Sequence, residues 1–491
     1  MASNIKDHSL HVFNPGTNES AGSVDFTSDE QIEKILGLSG HDRSWSELSI
    51  LKRVRNLKRF RKNITKNLDT IVDTIISETG KKPVEALTEI FVCLESIKTL
   101  SSIAPETLMD QSRGTGVLTF LKKARVVFEP MGSAAIISPW NYPLILPLCA
   151  SIEALIAGNN VVLKPSEQTP LTSVLLKKIW DQSLPEYINT FQIVLGLGDV
   201  AEKIIASPNI NVVCFTGSTN IGRKVAVQCA NLLKPAILEM GGVDPMVVMD
   251  DANLERAAKA IVWGSFTNAG QACISTERVY IQESIFEDVV SLLKKELSKL
   301  SSGPDSRSQI GAVCTSVNLE KIKHHIKNSG SKEIIEGDCK EGSGMFVAPT
   351  ILIEPDPNSA VNTEETFGPV VCLYKFEDDA AAVSMANSGN YNLSASVFGK
   401  NKKRINYFVK SLSAGSISVN DVQTQVGIAS IPFGGTGKSG LGRRHGKEGL
   451  LAYTNHKSVL ENVFSLKWEF WWYDLQRTYY RIAKKIIPWI Y

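Results

Sequence analysis

The stretch "TNAGQACIST", residues 267–276, sets Cys273 among Gly, Ala, Ser and Thr, with no second cysteine close enough for a CxxC pair. A free thiol has a pKa of ~8.5 and is only a few per cent ionised at neutral pH, yet it is the most nucleophilic of the ordinary side chains, and a neighbouring base raises its reactive fraction. Gly270 and Ala272 leave room at the sulfur for a reactant. The same cysteine can equally be a small hydrophobe of an α/β core, so its type alone decides nothing. Other polar residues follow apolar runs: "PWNYP" places Asn141, "KPSE" places Lys164 and Glu167, and "FTGSTNIG" places Gly217 and Ser218 at the opening of a helix. A helix N-terminus built from small residues can hold a diphosphate on its backbone amides. Taken singly, such a turn also needs its glycine for tight packing.

These residues need elements to position them. Leu51, Val54, Leu57, Phe60, Ile64, Leu68, Ile71 and Ile75 recur at helical spacing and predict one amphipathic helix. The runs "VVFEPMGSAAIISPW", "NNVVLKPSE", "FQIVLG", "NVVCFTGS" and "AILEMGG" read as strands alternating with helices. That alternation predicts parallel βαβ units, with ligands at the carboxyl ends of the strands. From about Gly241 a second α/β series begins, with a helix at "NLERAAKAIVWGSF", a strand at "ERVYIQ" and a helix over 285–300. No internal repeat or low-complexity tract interrupts the chain.

Composition limits the function classes. The 491 residues are 43% hydrophobic and 21% charged, enough for two or three domains at ~150 residues each. A net charge of +2 advertises no nucleic-acid partner. Eight scattered cysteines read as reduced thiols, and seven histidines without ligand spacing predict no metal. The start "MASNIKDHSLHVFNPG" has no apolar signal core, and no run of ~20 apolar residues predicts a spanning helix, so a cytoplasmic location is expected.

The motifs "SPWNYP", "KPSE", "FTGSTNIG", "LEMGG", "GQAC", "EETFGP" and "PFGGTGKSGLGR" follow one another in an order that resembles the NAD(P)-dependent, non-phosphorylating aldehyde dehydrogenase superfamily, from about residue 10 to 463. The resemblance implies an α/β fold: a Rossmann-like parallel-sheet cofactor domain (1–111 and 129–240), an α/β catalytic domain (241–433) and a bridging element (112–128 and 445–463) that joins subunits into dimers or tetramers. Carried over residue by residue, it makes Cys273 the nucleophile, Asn141 with the Cys273 amide the oxyanion donors, and Glu239 the base that activates water. It assigns Ser218 and Trp140 to the cofactor diphosphate, Lys164 and Glu167 to the adenosine ribose, Glu365 and Phe367 to the nicotinamide ribose, and makes Ser138 and Gly217 further cofactor-binding residues. A carboxylate at Glu167 repels a 2'-phosphate, which favours NAD and leaves NADP open. Two departures stand out: Met240 and Val243 in "EMGGV", where the family usually has ELGGK, and the tail 464–491, which lies outside the family core.

The segments expected to line the substrate funnel, "NYPLILPLC", "TNAGQACIST" and "QVGIASIPF", contain no Lys or Arg. Tyr142, Ile145, Leu146, Ile428, Ile431 and Phe433 predict an apolar funnel for a medium or long aliphatic or aromatic aldehyde, because an unpaired buried carboxylate is costly. Two alternatives remain at this level: a CoA-acylating enzyme, which has no need of Glu239, and a catalytically idle scaffold attached to a membrane. In the tail, Phe464, Trp468, Trp471, Trp472, Leu475, Tyr479, Ile482, Ile486 and Trp489 predict one apolar stripe on a single helix, with Lys467, Asp474, Arg477, Arg481, Lys484 and Lys485 on other faces. Such a helix either packs on protein or lies in the interface of a cytosolic membrane face.

Overall fold

The structure, a computed structural model, describes residues 3–6 (backbone alone), 9–340, 342–389, 391–464, 467–469 and 471–490. The chain forms two compact units, one running to Thr107 and including Pro130–Thr454, the other made of Leu108–Glu129 and the residues from Asn455 onward. Residues 445–454, assigned by resemblance to the bridging element, pack within the larger unit, where Leu450 and Tyr453 are fully buried.

In the larger unit five parallel strands lie in the spatial order Ala236–Glu239, Val212–Thr216, Ser133–Ile137, Asn160–Lys164, Phe191–Ile193, with Gly440–Leu441 antiparallel beside Glu239. Three of them, Ser133–Ile137, Asn160–Lys164 and Val212–Thr216, are buried at every residue, as strands covered by helices on both faces must be. The strand order reverses between Ser133–Ile137 and Val212–Thr216, and a crevice therefore opens beyond their carboxyl ends. Ser138 and Gly217 are the first residues past those ends.

A second sheet carries seven strands in the order Glu333–Glu336, Thr350–Ile353, Val370–Phe376, Thr276–Gln282, Asp244–Val248, Ser394–Phe398, Ser416–Val419, all parallel except Glu333–Glu336. Alternate side chains divide between its two faces. Val279, Ile281, Val371 and Leu373 pack with helices Leu254–Phe266 and Phe286–Leu297, whereas Tyr280, Cys372 and Val397 enter the opposite core. Burying each such Val or Ile is worth ~1.5–3 kcal/mol, so one slipped register would expose a whole face.

Three sequence expectations change in the folded chain. The first amphipathic stretch is two helices, Ile50–Lys66 and Leu68–Thr79, because the Asn67 side chain donates to the Asn63 carbonyl (2.8 Å) and ends the first. Val54, Leu57, Phe60, Ile64, Ile71 and Ile75 are buried as expected, but Leu51 is exposed. The run over 126–140 divides into Lys122–Pro130 and Ser133–Ile137, which belong to different sheets. The 285–300 helix is shorter, Phe286–Leu297.

The smaller unit holds a three-stranded sheet, Thr454–Asn462, Lys122–Pro130 and Gln111–Arg113. The tail prediction over 464–491 includes residues 465, 466, 470 and 491, which lie outside the described residues. Its helix begins only at Gln476 and ends at Ile490, so Phe464, Trp468, Trp471, Trp472 and Leu475 are not on it. Lys122 explains the late start: its ammonium pairs with Glu469 (2.6 Å) and lies 5.4 Å from the Trp471 ring, holding that segment against the loop Leu118–Lys122. No helix among the described residues is long and apolar enough to cross a membrane.

Candidate active site

The crevice is floored by the turn that follows Val212–Thr216. Ser218 caps helix Thr219–Asn231, its hydroxyl accepting from the Ile221 amide (3.4 Å), and both residues line the cleft at that helix N-terminus. Gly217 donates its amide to the Glu239 carbonyl (3.0 Å), joining the turn to the next strand. At the neighbouring strand end the Ser138 amide donates to the Lys164 carbonyl (3.2 Å), and the buried Lys164 ammonium stands 3.6 Å from the half-exposed Glu167 carboxylate. Burial lowers the Lys164 pKa while Glu167 opposes that shift. Ser138, Lys164, Glu167, Gly217 and Ser218 thus share one cleft of about 760 Å³. Ala201 and Ile221 supply an apolar shelf there that no sequence signal had marked. The fit to a dinucleotide is good: helix N-terminal amides for phosphate, a carboxylate for a ribose, and an apolar shelf for a base.

A second cavity, about 210 Å³, brings together Trp140, Asn141, Glu239, Cys273, Glu365 and Phe367. Trp140 and Phe367 meet edge to face with ring centroids 5.5 Å apart. Asn318 and Lys321 line the same cavity and were missed by sequence reasoning. Both lie on helix Ser316–Lys327, where polar side chains at 318, 321 and 325 share one face; that spacing was the available signal. Asn318 donates to the Phe367 carbonyl (2.6 Å), Lys321 to the Glu365 carbonyl, and His325 contacts the Thr366 hydroxyl (3.1 Å). From the other side the Glu277 carboxylate accepts the amides of Thr366 (2.9 Å) and Phe367 (3.0 Å). This double clamp fixes Phe367 at φ 57°, a left-handed backbone that a bulky residue adopts only when its surroundings impose it.

The cysteine loop is strained in the same way. After helix Leu254–Phe266, Asn268, Ala269 and Gly270 take φ values of 52°, 54° and 70° in succession. Left-handed Asn and Ala cost on the order of 1–3 kcal/mol each. Gly270 cannot be replaced without movement, because a Cβ there would stand 2.0 Å from the Gly368 carbonyl oxygen. Gln271 holds the loop, donating to the carbonyls of Asn268 (3.0 Å) and Ala312 (3.1 Å) and accepting from the Cys314 amide (2.8 Å). The Gln271 carbonyl in turn accepts from the Asn141 amide nitrogen (2.9 Å), which commits one of that group's N–H bonds and leaves the other available. Cys273 is half-buried and packs against the cluster of Ile274, Leu393 and Phe433.

Electrostatics set the resting protonation. Burial pushes the Cys273 thiol far up, with Glu365, Asp244 and Glu239 adding in the same direction. Burial likewise raises Glu239 to about 8, with the Arg444 guanidinium opposing it. Both Glu239 carboxyl oxygens are buried, with no hydrogen-bond partner among the described residues. Such an orphaned carboxyl marks a place where a small polar molecule belongs. The expectation of a funnel wall without cations needs correction: Lys81, from outside the three segments considered, places its ammonium 4.6 Å from the Tyr142 ring. Its charge is matched by Glu89 at 2.5 Å.

A parallel sheet whose switch-point cleft adjoins a pocket holding a thiol, an amide and a carboxyl defines an α/β protein of the dinucleotide-binding class. The aldehyde dehydrogenase family profile matches residues 2–459, and the chain belongs to that family. It is 35% identical over 455 residues to 4,4'-diapolycopene aldehyde oxidase of Methylomonas sp, covering 91% of this chain and 84% of the relative. It is 34% identical over 425 residues, 85% of this chain and 81% of the other, to a Mycolicibacterium smegmatis protein named as a succinate-semialdehyde dehydrogenase using NADP(+). Among solved structures, the NAD-dependent aldehyde dehydrogenase of Sinorhizobium meliloti superposes with a TM-score of 0.88 at 30% identity, covering 94% of this chain and 92% of that one.

Proposed function

We propose that the protein oxidises an apolar aldehyde to its carboxylic acid with NAD, using Cys273, Asn141 and Glu239. The observation that carries this reading is the buried, unpartnered Glu239 carboxyl in the same cavity as Cys273 and the free N–H of Asn141. The Cys273 thiol gives up its proton to solvent as the sulfur adds to the carbonyl carbon, and the oxygen takes the electron pair of the C=O π bond. Asn141 and the Cys273 amide hold that oxyanion. A nicotinamide held between Glu365 and Phe367 would supply the acceptor for the hydride and its two C–H electrons. The carbonyl re-forms, leaving a thioester on Cys273. Glu239 then takes a proton from water as the water oxygen attacks the thioester, and the C–S bond breaks to release the acid. A CoA-acylating cycle would leave Glu239 without a role. Glu167 at the ribose end of the cleft favours NAD over NADP, and Glu365 with Phe367 holds the nicotinamide end.

For the substrate, Leu146 lines the cavity beside Cys273, Phe433 packs in the apolar cluster that the cysteine joins, and the Lys81 ammonium at the Tyr142 ring is neutralised by Glu89. The relative named as a 4,4'-diapolycopene aldehyde oxidase agrees with these apolar residues better than the one named for succinate semialdehyde. With a panel of aldehydes graded by chain length and charge, NADH formation should have its highest kcat/KM on long apolar members. A preference for carboxylate-bearing aldehydes would sink the substrate assignment.

The edge strand Thr454–Asn462 and its sheet suit subunit pairing, and a homodimer or homotetramer is the assembly we propose. The tail helix Gln476–Ile490 buries none of its residues. At helical spacing Tyr479, Ile482, Ala483, Ile486 and Ile490 share one side, while Arg477, Arg481, Lys484 and Lys485 share the other, with no Asp or Glu in the helix. A basic polar face opposite an apolar one suits peripheral contact with an anionic membrane surface on the cytoplasmic side. Vesicles containing anionic lipid should co-sediment the full chain and release most of a form ending at Val463. Equal partitioning of the two would remove the membrane reading.

A further inference from the structure

Lys81 lies outside every segment that carries the proposed chemistry, yet it stands where they meet. Helix Leu68–Thr79 stops at Gly80, whose φ of 65° is left-handed and whose Cβ, if present, would press on Ala312 at 3.0 Å and on the Gly16 amide at 3.1 Å. That stop turns Lys81 inward, where its side chain is 3% exposed. Its ammonium donates to Glu89 (2.5 Å) and to the backbone carbonyl of Asn141 (2.9 Å). Glu89, fully buried on helix Pro83–Leu108, uses its second oxygen to accept the amides of Leu144 (3.0 Å) and Ile145 (3.2 Å). Those amides open helix Ile145–Ala157, where a negative charge is favoured. One turn earlier on the same face, Glu85 accepts the Asn268 amide (2.6 Å) of the strained cysteine loop. The Asn268 side chain joins Lys81 on the Asn141 carbonyl (3.0 Å).

Two donors on one carbonyl fix the plane of the peptide from which the Asn141 side chain springs. A buried ion pair is weak evidence for added stability, because desolvation offsets the attraction. Its placement against the oxyanion turn is better explained by alignment. Resting on the reaction proposed above, we infer that Lys81 is a positioning residue: held by Glu89, it fixes the Asn141 peptide so that the free side-chain N–H is aimed at the oxyanion on the Cys273 adduct. It is not a counter-charge for a substrate carboxylate.

The test is Lys81→Met, assayed with one apolar and one carboxylate-bearing aldehyde. Misplacement of a reacting group by about 1 Å costs on the order of 10²-fold, so kcat should fall by about that factor on both substrates while both KM values stay near wild type. The NADH burst should slow equally, because the oxyanion forms before hydride leaves. Alkylation of Cys273 by iodoacetamide, which forms no oxyanion, should keep its wild-type rate; a merely disrupted loop would alter it. Because Lys81→Met leaves Glu89 charged and unpaired, Lys81→Met/Glu89→Gln is measured beside it. The amide oxygen can still accept from Leu144 and Ile145, and the same kcat loss is expected. Wild-type kcat in either variant, a changed alkylation rate in the double variant, or a KM rise confined to the carboxylate-bearing aldehyde would overturn the inference. Failure of the wild-type enzyme to form NADH from any aldehyde would instead overturn the reaction itself.

Discussion

Cys273→Ala should abolish aldehyde-dependent NADH formation, with a loss on the order of 10⁴-fold or more, while NAD binding measured by fluorescence or calorimetry stays intact. The two effects separate because the sulfur and the cofactor cleft are held by different elements. Cys273 hangs from the strained loop that Gln271 braces, whereas Gly217 and Ser218 are held by the strand end and helix cap of the parallel sheet. Removing the Sγ atom opens little space in a half-buried site and leaves the loop's hydrogen bonds untouched. Substantial residual turnover would return Cys273 to the status of core filler, despite the carboxyl and amide beside it.

Glu239→Gln should give one NADH per active site and then stall. Hydride transfer needs only the thiol adduct and its oxyanion donors, but thioester hydrolysis needs a base. General-base catalysis contributes typically 10²–10⁴-fold, so steady-state turnover should fall by that range while the burst persists. The pH profile supplies a second readout. Burial holds the Glu239 carboxyl at about 8, so it is mostly protonated at neutral pH and cannot accept a proton until the pH rises through that value. Steady-state rate in the wild type should therefore climb with pH along a limb near 8, and the Gln variant should lose that limb. A variant that turns over steadily, or a limb that survives the substitution, would assign deacylation to another group.

The alternation of apolar strand runs with helical stretches already dictated the parallel sheets. Buried strands such as Val212–Thr216 can be covered only by helices on both faces, and the sequence shows those helices between them. Motif order likewise singled out Asn141, Glu239 and Cys273, which the fold brings to one cavity. The 318, 321, 325 spacing marked a polar helix face, but the partners of Lys81 and Lys321 were not legible, because each lies far away in sequence, Asn141 for Lys81 and Glu365 for Lys321. No local periodicity records a partner so distant. The tail failed for a related reason: its 3.6-residue pattern holds only from Gln476, since Lys122 captures Glu469 and Trp471 first.

What the sequence alone determined was therefore which candidate side chains stand at the ends of which elements, since hydrophobic period and turn chemistry are properties of neighbours along the chain. Only the tertiary structure decided their states. Glu239 is an acid of pKa about 8 because burial leaves both its oxygens without a partner. The Lys81 charge is matched because the fold brings Glu89 to within 2.5 Å. Desolvation and pairing depend on what surrounds a group in space, which local sequence does not specify.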